Sequence, residues 1–177
     1  MLDGIIYNTT TQKVLAFLLK HPDEKYYDRE VSRLSKISKA AVNIALRNLL
    51  KTGLVLREKK GRMYFYHVDP RNSFIKQLKI TQNIIILKPL VDKLCGISIK
   101  IVLYGSASLG QNNIDSDIDL FVLTREPEKV QKIIYKSHLR AKIQYVINTP
   151  QNLAKLKKEN SVFHKKITKG ILLFEEK

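Results

Sequence analysis

The stretch from Ile101 to Leu123 constrains this chain more than any other. It opens on an apolar run, Ile101-Val-Leu-Tyr104, and breaks at Gly105-Ser106 into a polar loop. A second apolar run follows, Leu120-Phe-Val-Leu123, with Asp117 and Asp119 at its entry. Both runs read as buried strands. Alternate residues of a strand share a face, so the two carboxylates project together while Ile118 turns to the core. Neighbouring carboxylates repel unless a cation sits between them. Mg²⁺ (or Mn²⁺) suits such a site, because it accepts one or two carboxylates and leaves its other positions for water and phosphates. At the end of the first strand, Gly105 lets the backbone approach a phosphate closely. Ser106 and neighbouring N–H groups can donate to phosphate oxygens.

Gly-Ser, ten residues, then Asp-Ile-Asp and an apolar strand resembles the nucleotidyltransferase superfamily (DNA polymerase beta-like) in its minimal, single-domain form. The resemblance implies catalytic and metal-binding roles for Asp117 and Asp119, which would hold Mg²⁺ and polarise the α-phosphate of a nucleoside triphosphate. Gly105 and Ser106 would bind the nucleotide through its β- and γ-phosphates. The activity implied is transfer of a nucleoside monophosphate to a hydroxyl acceptor. The spacing resembles small antitoxin-like members, whose acceptor can be a tyrosine on a HEPN-type partner protein. One departure bears on catalysis. The family pattern places a third carboxylate on the strand after the intervening helix, where it takes the acceptor's proton. Here that strand is Ala141-Lys-Ile-Gln144-Tyr-Val-Ile147, and the position facing the site is Gln144, which is neutral and cannot act as a base. Two functions therefore stand side by side. One is an NTP-Mg²⁺-binding transferase; the other is a transcriptional regulator whose fold is catalytically inactive and serves as nucleotide sensor or dimerisation platform.

The N-terminal part carries helical patterns. Thr9-Thr10 can cap a helix running to about Lys20, and Pro22 ends it. Asp28 can cap a second helix bearing Val31 and Leu34. Ser38 caps a third, Lys39 to Lys51, closed by Gly53. In the third, Val42, Ala45, Leu46 and Leu49 fall on one face, while Lys39, Ala40, Asn43, Ile44 and Arg47 fall on the other. A hairpin follows, with strands around Leu54–Leu56 and Met63–Val68 and a basic tip from Arg57 to Arg62. Val31, Leu34, Ser38, Val42, Leu46, Leu49, Gly53-Leu54-Val55 and Tyr64–Tyr66 resemble a winged helix-turn-helix of the bacterial and archaeal repressor type. That resemblance implies double-stranded DNA as a partner. Lys39, Asn43 and Arg47 would then face the major groove, with Arg57, Lys59, Lys60 and Arg62 on the backbone or in the minor groove.

The fold class expected is α+β. Residues 1–70 form the winged helix-turn-helix, 71–95 a linker or dimerisation helix, and 96–177 a small mixed-sheet domain with helices on one side. In the linker, Ile80, Ile84, Leu87, Val91 and Leu94 step as in a dimer seam, or as a face that packs on the sheet of the following domain. Both are expected, with the N-terminal half available to form a homodimer and the part after Pro89 packed on its own domain. Pro89 predicts a kink or restart. The 177 residues carry 32 Lys and Arg against 16 Asp and Glu, a net charge of +16 that points to phosphate-bearing partners. The single cysteine, Cys95, excludes an internal disulfide, and no apolar run has membrane-spanning length. With no signal-peptide pattern, a cytoplasmic location is expected and no membrane partner. The four histidines show no metal-ligand spacing, and no Walker-type loop or internal repeat is present.

Overall fold

A computed structural model describes residues 7–153 and 161–176. The chain divides into two compact units, Met1–Gln82 and Asn83–Lys177.

In the first unit, α1 (Thr10–Lys20) begins at a capping box, in which Thr9 accepts from the Gln12 amide and the Gln12 side chain returns the bond. A two-residue strand β1 (Tyr26–Tyr27) leads directly into α2 (Asp28–Ser35), so Asp28 is the first helical residue and Tyr27, not Asp28, holds the cap position. Ser38 caps α3 (Lys39–Lys51), and Gly53 leaves that helix at φ +71°. The wing is β2 (Leu56–Lys60) and β3 (Met63–His67), joined by Gly61-Arg62. Gly61 has φ +59°, the positive first angle a tight hairpin turn requires. β1 adds to the hairpin, giving a three-stranded sheet in the order β1-β3-β2 that the sequence pattern did not anticipate. Val42, Ala45, Leu46 and Leu49 are all buried, packed with Val14, Leu18, Val31, Val55, Val68 and Ile75. Leu34, by contrast, is 46% exposed.

A long helix, α4 (Ser73–Leu94), continues through Pro89, so the helix does not restart there. Tertiary packing outweighs the lost backbone bond, because Leu87, Leu90, Val91 and Leu94 on both sides of Pro89 are buried in the core of the second unit. Of the row on which a homodimer was expected, Leu87 is fully buried and Ile84 is partly buried against the core of the second unit, whereas Ile80 is half-buried and belongs to neither core. Toward its start, Lys79 Nζ donates to the Leu19 carbonyl and Gln82 Nε2 to that of Ala16, fastening α4 to the end of α1.

The second unit is a four-stranded mixed sheet in the order β6-β5-β4-β7, with β4 at Lys100–Tyr104, β5 at Ile118–Leu123, β6 at Ile143–Asn148 and β7 at Ile171–Glu175. β5 is antiparallel to β4 and parallel to β6. A one-turn helix, α5 (Gly105–Ser108), follows β4, and α6 (Pro127–Tyr135) carries the chain between β5 and β6. One face of the sheet, with Ile101, Leu103, Leu120, Val122 and Ile143, packs under α4 and α6. The opposite face, with Val102, Tyr104, Phe121 and Leu123, packs under α7 (Ser161–Thr168) through Ile167 and Phe163. Helices therefore cover both sides, not one, because β-strand alternation makes both faces of β4 and β5 apolar. Residues 150–153 are helical; the remainder of the helix expected from Pro150 to Lys158 lies outside the described residues.

Candidate functional site

The end of β4 and the start of β5 meet at the same end of the sheet, where Tyr104 pairs in register with Asp119. Gly105 follows with φ +68°, and a Cβ built there would lie 2.0 Å from Asp119 Oδ2, 2.9 Å from its Cγ and 3.3 Å from its Cβ. Glycine is needed twice over, for the backbone angle and for the space the carboxylate occupies. Asp119 is half-buried on the face that carries Tyr104 and Phe121. Burial is the main cause that raises its pKa above the ordinary carboxylate value; the charge of Asp117 adds to this and that of Lys166 opposes it. Tyr104, buried and edge-on to Phe163 with ring centres 5.6 Å apart, has its own pKa raised by burial and then by Asp119. Among the described residues neither aspartate accepts a hydrogen bond, and the Ser106 hydroxyl has no hydrogen-bond partner.

The loop between the strands is held from several sides. Asn83 of α4 donates to the Ala107 carbonyl and to Asn112 Oδ1, both at 2.9 Å. Ser116 Oγ and the Asp115 amide both donate to Asn113 Oδ1, and Lys142 Nζ donates to the Ile114 carbonyl at 3.2 Å. Sequence reasoning missed Asn83 and Lys142 as positioning residues. The one available signal for Asn83 was an amide directly before the apolar run Ile84–Leu87.

Asp117 stands exposed one residue before β5, while Asp119 lies within it. On the other side of β5, Asp119 pairs in register with Gln144 of β6, and Gln144 is exposed. Paired residues in adjacent strands share a face, so the side chain beside Asp119 is an amide. No acidic residue lies anywhere on β6. Consistent with this, no group of three or more His, Cys, Asp or Glu side chains that could hold a metal lies together among the described residues. Two carboxylates, one of them half-buried without a donor, nevertheless fit a hard divalent cation that draws its remaining ligands from water and phosphate.

In the first unit, Lys39, Asn43 and Arg47 line the outer face of α3 together with Ile44, which is 61% exposed. Lys39 is paired with Asp28 at 3.7 Å. The wing differs from the expected basic tip. Arg57, Lys59 and Lys60 are strand residues, and only Arg62 is in the turn. Strand alternation puts Arg57 and Lys59 on the face of Tyr64 and Tyr66, with the Arg57 guanidinium 4.4 Å from the Tyr64 ring centre. Lys60 lies on the other face, toward Phe65 and Glu58. A groove of about 520 Å³ lies between the starts of α2 and α3 and the wing, lined by Tyr27, Arg29, Lys39, Arg62, Tyr64 and Tyr66 among others. Arg29 and Tyr27 were not singled out from the sequence, and Tyr64 and Tyr66 entered only as part of the winged-helix pattern.

Fold and site together describe a winged helix-turn-helix followed by a small nucleotidyltransferase-type α/β unit. Residues 10–71 match the family model for the sugar-specific transcriptional regulator TrmB, and residues 96–177 match that for polymerase beta nucleotidyltransferases. The chain thus joins a TrmB-like winged-helix domain to a polymerase-beta-type nucleotidyltransferase domain. Among solved structures, a protein from Sulfolobus solfataricus described as a candidate nucleotidyltransferase is similar at 12% identity and a TM-score of 0.39, over 57% of this chain and 87% of that one. A likeness that distant bears on neither site. No curated protein matches significantly. No helix among the described residues is long and apolar enough to cross a membrane.

Proposed function

We propose that this chain is a DNA-binding regulator whose second unit binds a Mg²⁺-nucleotide and transfers nucleotidyl groups slowly or not at all. The observation that carries the nucleotide half is the seat of Asp119: half-buried, without a donor, packed against Gly105 and beside Asp117. Asp117 and Asp119 would hold the metal, which when bound supplies neutralisation of their charge and polarisation of the α-phosphate. The chain's own groups do the remaining work. Ser106 Oγ is free to donate to a phosphate oxygen, and the Lys166 ammonium adds positive charge on the same face.

Transfer would join an acceptor hydroxyl oxygen to the α-phosphorus, break the bond to the β-phosphate oxygen and release pyrophosphate. The acceptor implied by the resemblance is a tyrosine on a HEPN-type partner. Its proton must leave, and with Gln144 beside Asp119 no carboxylate on β6 takes it. A general base contributes on the order of 10²–10⁴ in rate, so its loss supports a nucleotide sensor over an efficient transferase. In the first unit, the outward Asn43 and Arg47, the Arg57–Lys59 face and the groove with Arg29, Lys39 and Arg62 support recognition of duplex DNA.

The transfer half is tested with radiolabelled NTPs, Mg²⁺ and candidate acceptor proteins. We expect no label, or a trace, on any protein with the unmodified chain. Brisk labelling would overturn the assignment of Gln144.

A further inference from the structure

Beside the candidate nucleotide site lies a surface whose composition is unusual even for this basic chain. The 25 residues from Lys129 to Leu153 hold five Lys and Arg and no carboxylate. The surface they form includes the outer face of α6, the short 3₁₀ turn Arg140–Lys142 and the start of β6. Lys132, Lys136 and Arg140 are exposed and have no carboxylate within ion-pairing distance among the described residues, whereas Lys129 is paired with Glu126. Tyr135 is 59% exposed, although aromatic side chains of its size are ordinarily buried. The Arg140 guanidinium lies over one face of its ring, 3.6 Å from the centre. Topology puts the end of α6 and the Arg140–Lys142 turn at the site end of the sheet, with α6 packed on the face opposite the one that carries Asp119. β6 runs parallel to β5, its second residue pairs with Asp119, and the residue just before it, Lys142, bonds the Ile114 carbonyl of the site loop.

We infer that this α6–β6 surface binds a single-stranded polynucleotide. The chemistry is that of single-strand recognition elsewhere. Unpaired lysines track the phosphates, while an exposed ring backed by an arginine plane offers a face on which a base stacks. A stacked base continues the Arg140–Tyr135 column without disturbing it. A duplex offers no such face, because its bases are already stacked. An acidic protein would use the lysines but has no need of the open ring. The inference rests on the reading of the second unit as a nucleotide-handling site, and its test is independent of nucleotide binding.

The experiment uses the full chain carrying Arg29→Ala, Lys39→Ala, Asn43→Ala, Arg47→Ala, Arg57→Ala, Lys59→Ala and Arg62→Ala, which removes the proposed duplex-binding contacts in the first unit. Fluorescence anisotropy is measured with labelled single-stranded RNA, single-stranded DNA of the same sequence, and the corresponding duplex. We expect the single strands to bind and the duplex to bind at least tenfold more weakly. A preference between RNA and DNA identifies the strand type that is the ligand. Adding Tyr135→Ala should weaken single-strand binding about tenfold, and Tyr135→Phe should leave it unchanged, since the ring suffices for stacking. Lys132→Ala with Lys136→Ala should lower the dependence of log affinity on log salt. Circular dichroism checks that each variant is folded. Equal affinity for single and double strands, or insensitivity to Tyr135→Ala in a folded variant, would overturn the inference; binding only to acidic protein would also do so. Retained Mg²⁺-nucleotide binding alongside such a failure would leave the nucleotide site standing.

Discussion

Replacing Gly105 with alanine tests the seat of Asp119 at one atom. The new Cβ would lie 2.0 Å from Oδ2 and 2.9 Å from Cγ of Asp119, so turning the carboxylate about its own axis cannot clear it and the whole side chain must swing away. Backbone strain adds to this, because φ +68° costs a non-glycine residue about 1–2 kcal/mol. Gly61→Ala provides the control: it has a similar angle, φ +59°, and nothing within 4 Å of its would-be Cβ. Both variants should therefore lose the stability that backbone strain costs, and Gly105→Ala more because of the clash, at roughly 4–8 °C in Tm per kcal/mol for a unit of this size. They should part company in ligand binding. Displacing Asp119 removes a charged ligand interaction worth about 1.5–3 kcal/mol, hence roughly ten- to a hundredfold in nucleotide affinity. Gly61→Ala should bind Mg²⁺-nucleotide as the parent does. Calorimetric titration of the two variants reads the difference directly. Parent-like affinity in Gly105→Ala would refute the idea that Asp119 needs this seat.

Other consequences can be checked singly. Gln144→Asp restores a carboxylate beside Asp119 and should raise any transfer rate by up to about 10²–10⁴ without weakening nucleotide binding, as read by label transfer and calorimetry. For duplex DNA, alanine at Arg57, Lys59 or Arg62 should weaken binding to all sequences alike and Lys60→Ala should matter least, whereas Arg47→Ala should blunt sequence preference in gel-shift competition. Lys79 is 3% exposed, and burial lowers its pKa from 10.5 to about 8. Between those values the unfolded chain holds the proton more tightly, so stability should rise with pH from about 8 to 10.5, by on the order of 3 kcal/mol at most. Lys79→Met should flatten that rise in denaturant melts across the window.

The juxtaposition of Gly105 with Asp119 was legible in the sequence because strand alternation and the fixed Gly105-Ser106 to Asp117/Asp119 spacing act over short distances. The position of Gln144 was legible too, since one strand's register follows from its apolar alternation. What escaped were effects of tertiary packing. Pro89 reads as a break, yet burial of Leu87, Leu90, Val91 and Leu94 keeps the helix intact. Those same residues read equally well as a dimer seam or as core, since an apolar stripe does not name its partner. The wing's basic run reads as a loop because charged residues are poor strand formers. Pairing with Met63–His67 makes it a strand and sends Lys60 to the face opposite Arg57 and Lys59. Asn83, Lys142 and Arg29 act through residues distant in sequence, where no local pattern points.

The central claim is that Asp117 and Asp119 form a divalent-metal-dependent nucleotide site, and isothermal titration of each NTP into the full chain tests it most directly. The claim predicts binding of at least one NTP in the presence of Mg²⁺ or Mn²⁺, its loss on chelation, and its loss in Asp119→Asn. Asp119→Asn should also leave the ligand-free protein as stable as the parent or more so, because burial and Asp117 disfavour the charge that it removes. Heat indistinguishable from dilution for all four nucleotides, or binding unchanged by chelation and by Asp119→Asn, would contradict it.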